Sequence, residues 1–187
     1  IGAVLAHRYR IDAPLGSGTG NSDVFEATDI RSRKRLVLRV SAAESLVDLD
    51  AGVLTASDGV ELFKRQTQLL AGLAHASLAL IEDWGTESIA GTQYVFTALE
   101  SYQGGTLRQI LDRGRRLTPS QALVAGLDVC RALHFLHGKG WVHGDVRPAN
   151  IFLGDDGRVR LAGLGLKRMV DAQQLSVEQA NYAAPEI

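Results

Sequence analysis

Cysteine is nearly absent from this chain, and so is any excess of charge of one sign. The single thiol, Cys130, cannot form an internal disulfide, which favours a reducing compartment. The net charge is -1, so we expect neither a nucleic acid nor an acidic membrane surface as a partner. No run of about 18 apolar residues occurs, and we expect no segment that inserts into a membrane. These absences indicate a cytoplasmic protein or the cytoplasmic part of a larger one.

The residues that are present are typical of a globular protein. Of the 187 residues, 45% are hydrophobic and 22% are charged, which allows a sizeable buried core. The chain begins with Ile1 rather than Met, and we expect it to be a piece of a longer polypeptide.

Short β-branched and apolar runs dominate the first hundred residues and predict strands. At 60–73 the apolar residues instead recur every three or four positions, which predicts a helix with Ser57 or Asp58 as its N-cap. Residues 41–57 form an insert that we expect to be irregular or partly helical. A polar turn is expected at 85–91. The predicted strands lie at 8–11, 24–28, 35–40, 78–84 and 93–99.

Helical patterns dominate the rest of the chain. Residues 106–113 predict a short helix, and Thr118 followed by Pro119 predicts the start of a long one. Two short runs, 151–153 and 159–161, predict a hairpin. The apolar stripe of the long helix, which we expect to face the core, comprises Leu123, Leu127, Cys130, Ala132, Leu133 and Leu136.

Six short motifs follow one another along the chain. They are Gly16-Ser17-Gly18-Thr19-Gly20, the strand ending near Arg39, Leu73-Ala74-His75, Gly104-Gly105-Thr106-Leu107, the string His-Gly-Asp-Val-Arg-Pro-Ala-Asn at 143–150, and Ala184-Pro185-Glu186. In this order they resemble the motifs of eukaryotic-like serine/threonine protein kinases, the bacterial ones in particular. The resemblance implies an α+β, bilobal protein kinase-like fold. Its N-lobe would be an antiparallel sheet, and its C-lobe would be helical and truncated after Ala-Pro-Glu.

The resemblance also divides the chain into two lobes, as the change from strands to helices does. Residues 1–100 would form the N-lobe, with the glycine loop, a five-stranded sheet and one regulatory helix. Residues 101–187 would form a partial C-lobe, with the hinge, a long helix, the catalytic loop and a short activation segment.

An ATP cleft is the first site that the resemblance implies, and it is degenerate here. Arg39 stands where the family has a phosphate-gripping lysine, and Gln66 where it has that lysine's glutamate partner. We expect Arg39 to hydrogen-bond the Gln66 amide instead. Val37 and Phe152 are larger than usual and would narrow the adenine slot. The cleft positions are Gly16, Gly18, Gly20, Val24, Val37, Arg39, Gln66, Leu99, Glu100, Tyr102 and Phe152.

The catalytic loop is the second implied site. Asp145 matches the proton-accepting base, Arg147 replaces a phosphate-binding lysine, and Asn150 matches a metal ligand. Gly163 replaces the family's magnesium-binding aspartate and offers no side-chain oxygen, so we expect no metal and no cofactor. A structural role stays open for Asp145 and Asn150, as hydrogen-bonding braces of their loop. We expect His143 to be a buried core histidine.

These departures predict a pseudokinase. Such a domain would be catalytically inactive, would bind Mg-ATP weakly or not at all, and would serve as a protein-interaction or allosteric module. Its partner would be another protein or another domain of the same polypeptide. Two alternatives stay open: a low-activity atypical serine/threonine kinase that uses Asp145 and Asn150 with ATP and Mg²⁺, and a metal-independent nucleotide sensor.

Overall fold

The computed structural model of the chain describes residues 1–17, 22–47 and 55–163. Three of the motif positions, Gly18, Gly20 and the Ala184-Pro185-Glu186 string, therefore lie outside the described residues. Within those described ranges, no helix is both long and apolar enough to cross a bilayer.

The chain forms two compact units. They are Ile1–Leu73 with Leu80–Ser101, and Ala74–Ala79 with the described residues from Tyr102 onward. The segment Ala74–Ala79 belongs to the second unit because it pairs with a strand there: Leu78 forms a parallel bridge with Leu161, and the N–H of Ala79 donates to the Leu161 carbonyl at 3.0 Å. The boundary predicted at residue 100 places this segment in the first lobe. The sequence pattern does not reveal the bridge, because the bridge joins residues far apart in the chain.

The first unit is built on a six-stranded antiparallel sheet with the order β1-β2-β3-β4-β6-β5. The strands are β1 (Val4–Leu5), β2 (Tyr9–Ser17), β3 (Asp23–Asp29), β4 (Arg35–Ala42), β5 (Ile81–Ile89) and β6 (Thr92–Glu100). The prediction of five strands missed β1, because two residues are too few to show an alternating pattern.

The predicted polar turn at 85–91 is wrong. β5 and β6 continue up to the two-residue turn Ala90-Gly91. Gly85 lies inside β5 opposite Phe96, and a Cβ at position 85 would lie 3.0 Å from the Phe96 ring. This glycine therefore makes room for an aromatic ring and does not mark a turn.

One cluster of buried side chains lies on a single face of the sheet. Tyr9 and Phe96 meet edge to face within it, with ring centroids 5.8 Å apart. Burial of each large apolar side chain contributes about 1.5–3 kcal/mol to stability. The cluster comprises Leu5, Tyr9, Ala27, Leu36, Leu38, Phe96 and Ala98.

A polar group, which we call the Arg8 clasp, joins strands that lie far apart in the sheet order. Nη2 of Arg8 lies 2.8 Å from Oδ2 of Asp29, and its Nη1 lies 2.8 Å from Oδ2 of Asp83 in β5. The hydroxyl of Tyr9 donates to the same Asp83 oxygen. The hydrogen bond from Arg8 holds the pKa of Asp29 well below its usual range. Because the clasp connects β2 to β5, the sheet curls around its buried cluster.

The helix of the first unit, α1 (Ala56–Ala71), packs on the other face of the sheet. Its Phe63 ring meets Trp84 of β5 edge to face at 6.4 Å. The N-cap is Thr55, whose side chain accepts the N–H of Asp58, while the Asp58 carboxylate accepts the N–H of Thr55. The predicted caps, Ser57 and Asp58, are therefore wrong, because Asp58 is the third helical residue of a capping box. Of the 41–57 insert, Ala43–Leu46 forms a 3-10 helix.

The second unit contains the predicted helices and hairpin. Its elements are α2 (Leu107–Asp112), α3 (Pro119–Gly138), a 3-10 helix (Pro148–Asn150), β7 (Ile151–Leu153) and β8 (Val159–Leu161). Thr106 and Thr118 cap α2 and α3 through capping boxes with Gln109 and Gln121. The predicted α3 cap, its Pro119 start and the β7–β8 hairpin are confirmed.

The predicted core stripe of α3 is largely wrong. Leu123 and Leu127 are 66% and 47% exposed, and Cys130 is exposed as well. The buried residues of this helix are Ala125, Asp128, Ala132 and Leu136. The buried face thus includes a carboxylate, which an apolar periodicity assigns to the surface.

Asp128 is buried because the β7–β8 hairpin supplies its hydrogen-bond partners. Its carboxylate accepts Nε of Arg158 at 2.7 Å and the N–H of Val159 at 3.2 Å, and Nη2 of Arg158 also donates to it. Nη1 of Arg131, one helical turn away, adds a contact of 3.1 Å. These bonds fasten α3 to the hairpin and offset the cost of burying the charge.

Replacing Asp128 should therefore destabilise the fold. We expect Asp128→Ala to lower the free energy of unfolding by about 3 kcal/mol in urea denaturation, the lower end for breaking a buried pair, because Arg158 is half exposed and can be hydrated. Asp112→Ala, which removes an exposed i,i+4 partner of Arg108, is the control and should cost at most about 0.5 kcal/mol. Equal effects of the two substitutions would contradict this account.

The same carboxylate should make stability depend on pH. The hydrogen bond from Arg158 lowers the pKa of Asp128 below its usual 3.8 despite burial. A group with a lowered folded-state pKa stabilises the fold above its unfolded pKa, and this contribution is lost as pH falls through the folded pKa. Between neutral pH and pH about 3 the wild-type protein should therefore lose more unfolding free energy than Asp128→Ala. Parallel pH profiles for the two proteins would count against this assignment.

Candidate functional site

Arg39 lies at the centre of the first unit's candidate site, on the sheet face that carries Val24 and Thr97. These two residues are its register partners in β3 and β6. Arg39 is buried, and its Nε donates to the hydroxyl of buried Ser22 at 2.9 Å. Ser22 stands two residues before Val24 and thus on the same side of the strand, which brings its short side chain within reach.

The expected hydrogen bond between Arg39 and Gln66 is not formed within the described part of the chain, where Arg39 bonds Ser22 instead. Gln66 lies half-buried on α1. The alternation of β3 was the signal that could have identified Ser22, because it places positions 22 and 24 on one face.

The glycine-rich loop is described only at its start. Gly16 lies at the end of β2, pairs with Val24 after a register shift, and has a φ of +122°, which favours glycine. Gly18 and Gly20 lie outside the described residues, so this half of the predicted phosphate loop stays a prediction.

Two further candidate positions belong to the sheet itself. Val37 is buried and pairs with Leu99 across β4 and β6. Glu100 ends β6, and its N–H donates to the carbonyl of Leu80 at 3.2 Å. The structure therefore places Val37, Leu99 and Glu100 in regular sheet pairing.

In the second unit, Tyr102 and Phe152 pack against each other. Their ring centroids are 5.9 Å apart. Arg160, the register partner of Phe152, lies 5.3 Å from the centre of the Tyr102 ring and forms a two-pronged ion pair with Asp156 at 2.7 and 2.8 Å. The carbonyl of Tyr102 accepts the N–H of Gly105 at 3.0 Å. The sequence placed Tyr102 and Phe152 in the cleft list, but it did not predict the contact between their rings or the approach of Arg160.

The loop from His143 to Asn150 is a buried hydrogen-bonded unit. The Nδ1 atom of His143 accepts the N–H of Asp145 at 3.1 Å, and its Nε2 atom lies 2.8 Å from the carbonyl of Ala162. A ring nitrogen that accepts carries no proton, so Nε2 is the donor and the imidazole is neutral in this geometry. The prediction that His143 is a buried core histidine is confirmed.

Asp145 is held by the two other candidate residues of its loop. Nδ2 of Asn150 donates to the Asp145 carbonyl at 2.8 Å and to its Oδ2 at 2.7 Å. Nε of Arg147 lies 3.4 Å from the same Oδ2. All three residues are buried. The three predicted catalytic positions thus lie together in one buried group.

Gly163 lies directly against Asn150. Its φ is +92°, and a Cβ at this position would lie 2.8 Å from Cγ and Nδ2 of Asn150. The N–H of the preceding residue, Ala162, donates to the Asn150 carbonyl at 2.8 Å, which fixes the approach of the two segments. Both the backbone conformation and the neighbouring amide therefore disfavour a side chain at position 163, which would be strained and would require the Asn150 amide to move.

Comparison with known proteins gives matches over nearly the whole chain. The family model of the protein kinase domain matches residues 9–187. A probable serine/threonine-protein kinase PknB of Corynebacterium glutamicum is 31% identical over 98% of this chain and 28% of its own length. The serine/threonine-protein kinase PknA of Mycobacterium tuberculosis is 30% identical over 100% of this chain and 42% of its own length. The chain thus spans well under half the length of these relatives.

A lysine at position 39 should not preserve the stability that the native arginine provides. We expect Arg39→Lys to lower the unfolding free energy by about 1–2 kcal/mol, because it removes the Nε–H that bonds buried Ser22. Arg35→Lys is the matched control, since Arg35 is an exposed residue of the same strand, and it should change stability by less than about 0.5 kcal/mol. An Arg39→Lys variant as stable as wild type in urea would contradict the role given to this bond.

Proposed function

This chain belongs to the protein kinase domain family, of the bacterial serine/threonine type, and on that premise we propose that it is a member without phosphotransferase activity. We propose that it acts as a protein-interaction or allosteric module of a larger cytoplasmic protein. The observation that carries the proposal is the contact between Gly163 and Asn150, because position 163 offers no side-chain oxygen and a carboxylate placed there would have to displace the Asn150 amide.

The donor set around Asp145 does not fit a magnesium ion. Magnesium takes six oxygen ligands, and one or two carboxylates anchor it in sites that bind substrate phosphates. Gly163 contributes no side-chain oxygen, and Oδ2 of Asp145 already accepts from Asn150 and lies beside Arg147. Among the described residues, no three acidic, histidine or cysteine side chains form a group that could hold a metal. We therefore derive no step of a reaction through a metal ion.

Arg39, at the position of the family's phosphate-binding lysine, supports the same proposal. In the family, a lysine and a glutamate form the ion pair that positions the nucleotide phosphates. Here Arg39 is buried and bonds Ser22, while Gln66 bears no charge. The planar, forked guanidinium of Arg39, with Nε already donating to a hydroxyl of the sheet, is a poor substitute for a lysine that must reach a phosphate.

The energetic consequence is large. Removing one charge-stabilising partner of a transition state typically costs about 3–4 kcal/mol, or a hundred- to a thousandfold in rate. Position 163 and the Arg39–Gln66 pair represent two such losses. Turnover by this domain should be negligible.

A second candidate function is a low-activity serine/threonine kinase. The observation that favours it is that Asp145 and Asn150 lie together in the catalytic-loop arrangement. Transfer of radiolabelled phosphate from ATP that disappears in Asp145→Asn would establish this function and overturn the proposed one. A metal-independent nucleotide sensor would instead show heat of ATP binding by calorimetry in EDTA.

Mg-ATP should leave the melting temperature of the chain unchanged within about 1 °C. A ligand present at 100 times its Kd stabilises a protein by about 2.7 kcal/mol, which would raise Tm by several degrees. The measurement is a thermal shift with ATP and MgCl₂ against each alone. A rise in Tm of several degrees with ATP and MgCl₂ together, but not with either one alone, would contradict the proposal.

Restoring the aspartate alone should not restore metal binding. We expect Gly163→Asp and Gly163→Ala to be similarly destabilised, by about 1–3 kcal/mol, because both place a Cβ against Asn150 at a positive φ. Neither variant should gain a Mg-ATP thermal shift. Gly163→Ala is the control that separates the cost of the Cβ from any benefit of the carboxylate. A magnesium-dependent shift in Gly163→Asp alone would show that the Asn150 contact is not the obstacle.

A further inference from the structure

The connection between α2 and α3 carries three exposed arginines within four residues, Arg113, Arg115 and Arg116. The sequence alone favours a solvated loop for such a run. Two structural observations, the fixed backbone of this run and its lack of compensating charge, instead indicate a binding surface. We call this surface the arginine connection.

The backbone of the arginine connection is fixed at both ends. Gly114 has a φ of +71°, and its N–H donates to the carbonyl of Leu111 at 2.9 Å. The N–H of Arg115 donates to the carbonyl of Ile110 at 3.2 Å, which completes a Schellman motif at the end of α2. Three residues later, Thr118 opens the capping box of α3. The arginines are therefore presented on a short, hydrogen-bonded backbone.

Acidic residues do not neutralise this surface. Residues 101–127 contain four arginines and one acidic residue, Asp112, a net charge of +3 in a chain whose total is -1. The carboxylate of Asp112 is bound by Nε of Arg108 at 2.9 Å. Within the described part of the chain, none of the three guanidinium groups of the arginine connection has a hydrogen bond or ion pair.

Another basic run on the same chain has a different environment. Arg31, Arg33, Lys34 and Arg35 follow β3, but Lys34 pairs with Glu82, and Arg35 lies 3.5 Å from Glu26. The turn also adjoins Asp29 of the Arg8 clasp. This run is thus partly compensated, and its three arginines provide a comparison in which the same number of charges can be removed.

We propose that the arginine connection is a docking surface for an acidic peptide segment of a partner protein, one that bears carboxylates or phosphates. Guanidinium groups bind such oxygens through two parallel N–H bonds, and a backbone that is already ordered loses little entropy on binding. Clusters that bind anionic lipid carry about four to eight basic residues, so a patch of three favours a peptide over a membrane. The surface would serve the proposed interaction module, but the arginines are presented in the same way whether or not the domain transfers phosphate.

The test uses fluorescence anisotropy of two labelled peptides, one rich in glutamate and one with phosphoserines at the same positions, with the whole 187-residue chain at low and high salt. We expect binding at low salt that is lost at high salt, because exposed charges are screened. The triple variant Arg113→Gln, Arg115→Gln, Arg116→Gln should weaken binding about tenfold or more. The two peptides distinguish carboxylate from phosphate as the preferred group.

The matched control is Arg31→Gln, Arg33→Gln, Arg35→Gln, which removes the same charge and should change Kd less than about twofold. Gly114→Ala keeps every charge but disfavours the positive φ, and it should weaken binding severalfold if the fixed backbone matters. The proposal fails if neither peptide binds, if both triple variants lose binding equally, or if anionic vesicles bind the chain and the peptides do not. Because no ATP is present, these outcomes are separate from the thermal-shift test of inactivity.

Discussion

The candidate site depends on one contact: the Asn150 carboxamide fills the space into which a side chain at position 163 would extend. The same amide donates twice to Asp145. One short side chain thus both holds the loop together and occupies the space beside position 163. The space beside Gly163 is thus filled by a residue with bonds of its own, and a side chain introduced there would have to break them.

The buried polar groups of the chain follow a common rule. Arg39 with Ser22, Asp128 with Arg158, and the group around Asp145 each place a charge away from water and give it hydrogen-bond partners. Such groups stabilise little when compared with apolar replacements, but they tolerate few alternative arrangements. The domain therefore keeps a defined structure around positions that have no catalytic role in the proposed function. A rigid domain of this kind is suited to binding a partner protein through its surface.

Local patterns predicted most of the fold. Thr118 and Pro119 mark the start of α3 because capping depends on neighbours a few residues apart. Gly85 was misread because an isolated glycine signals a turn as readily as the packing of a distant ring such as Phe96. The buried face of α3 was missed because the partner of Asp128, Arg158, lies 30 residues away. The motif order identified the family, but the contact between the Asn150 amide and Gly163 became visible only in the structure.

The Arg8 clasp has a consequence for how the chain is assembled. Arg8 and Asp83 are 75 residues apart, and the neighbouring bond from Ala6 to Glu87 spans 81. On a ribosome the N-terminal strands emerge long before β5, so the curl of the sheet cannot close until β5 and β6, the strand that joins β5 to β4, have both been made. Loop-closure entropy makes such distant pairings late events in folding. Until these pairings form, the apolar face of β1 and β2 stays partly exposed to water. The early strands β1 and β2 are therefore a part of the nascent chain that needs protection from premature association.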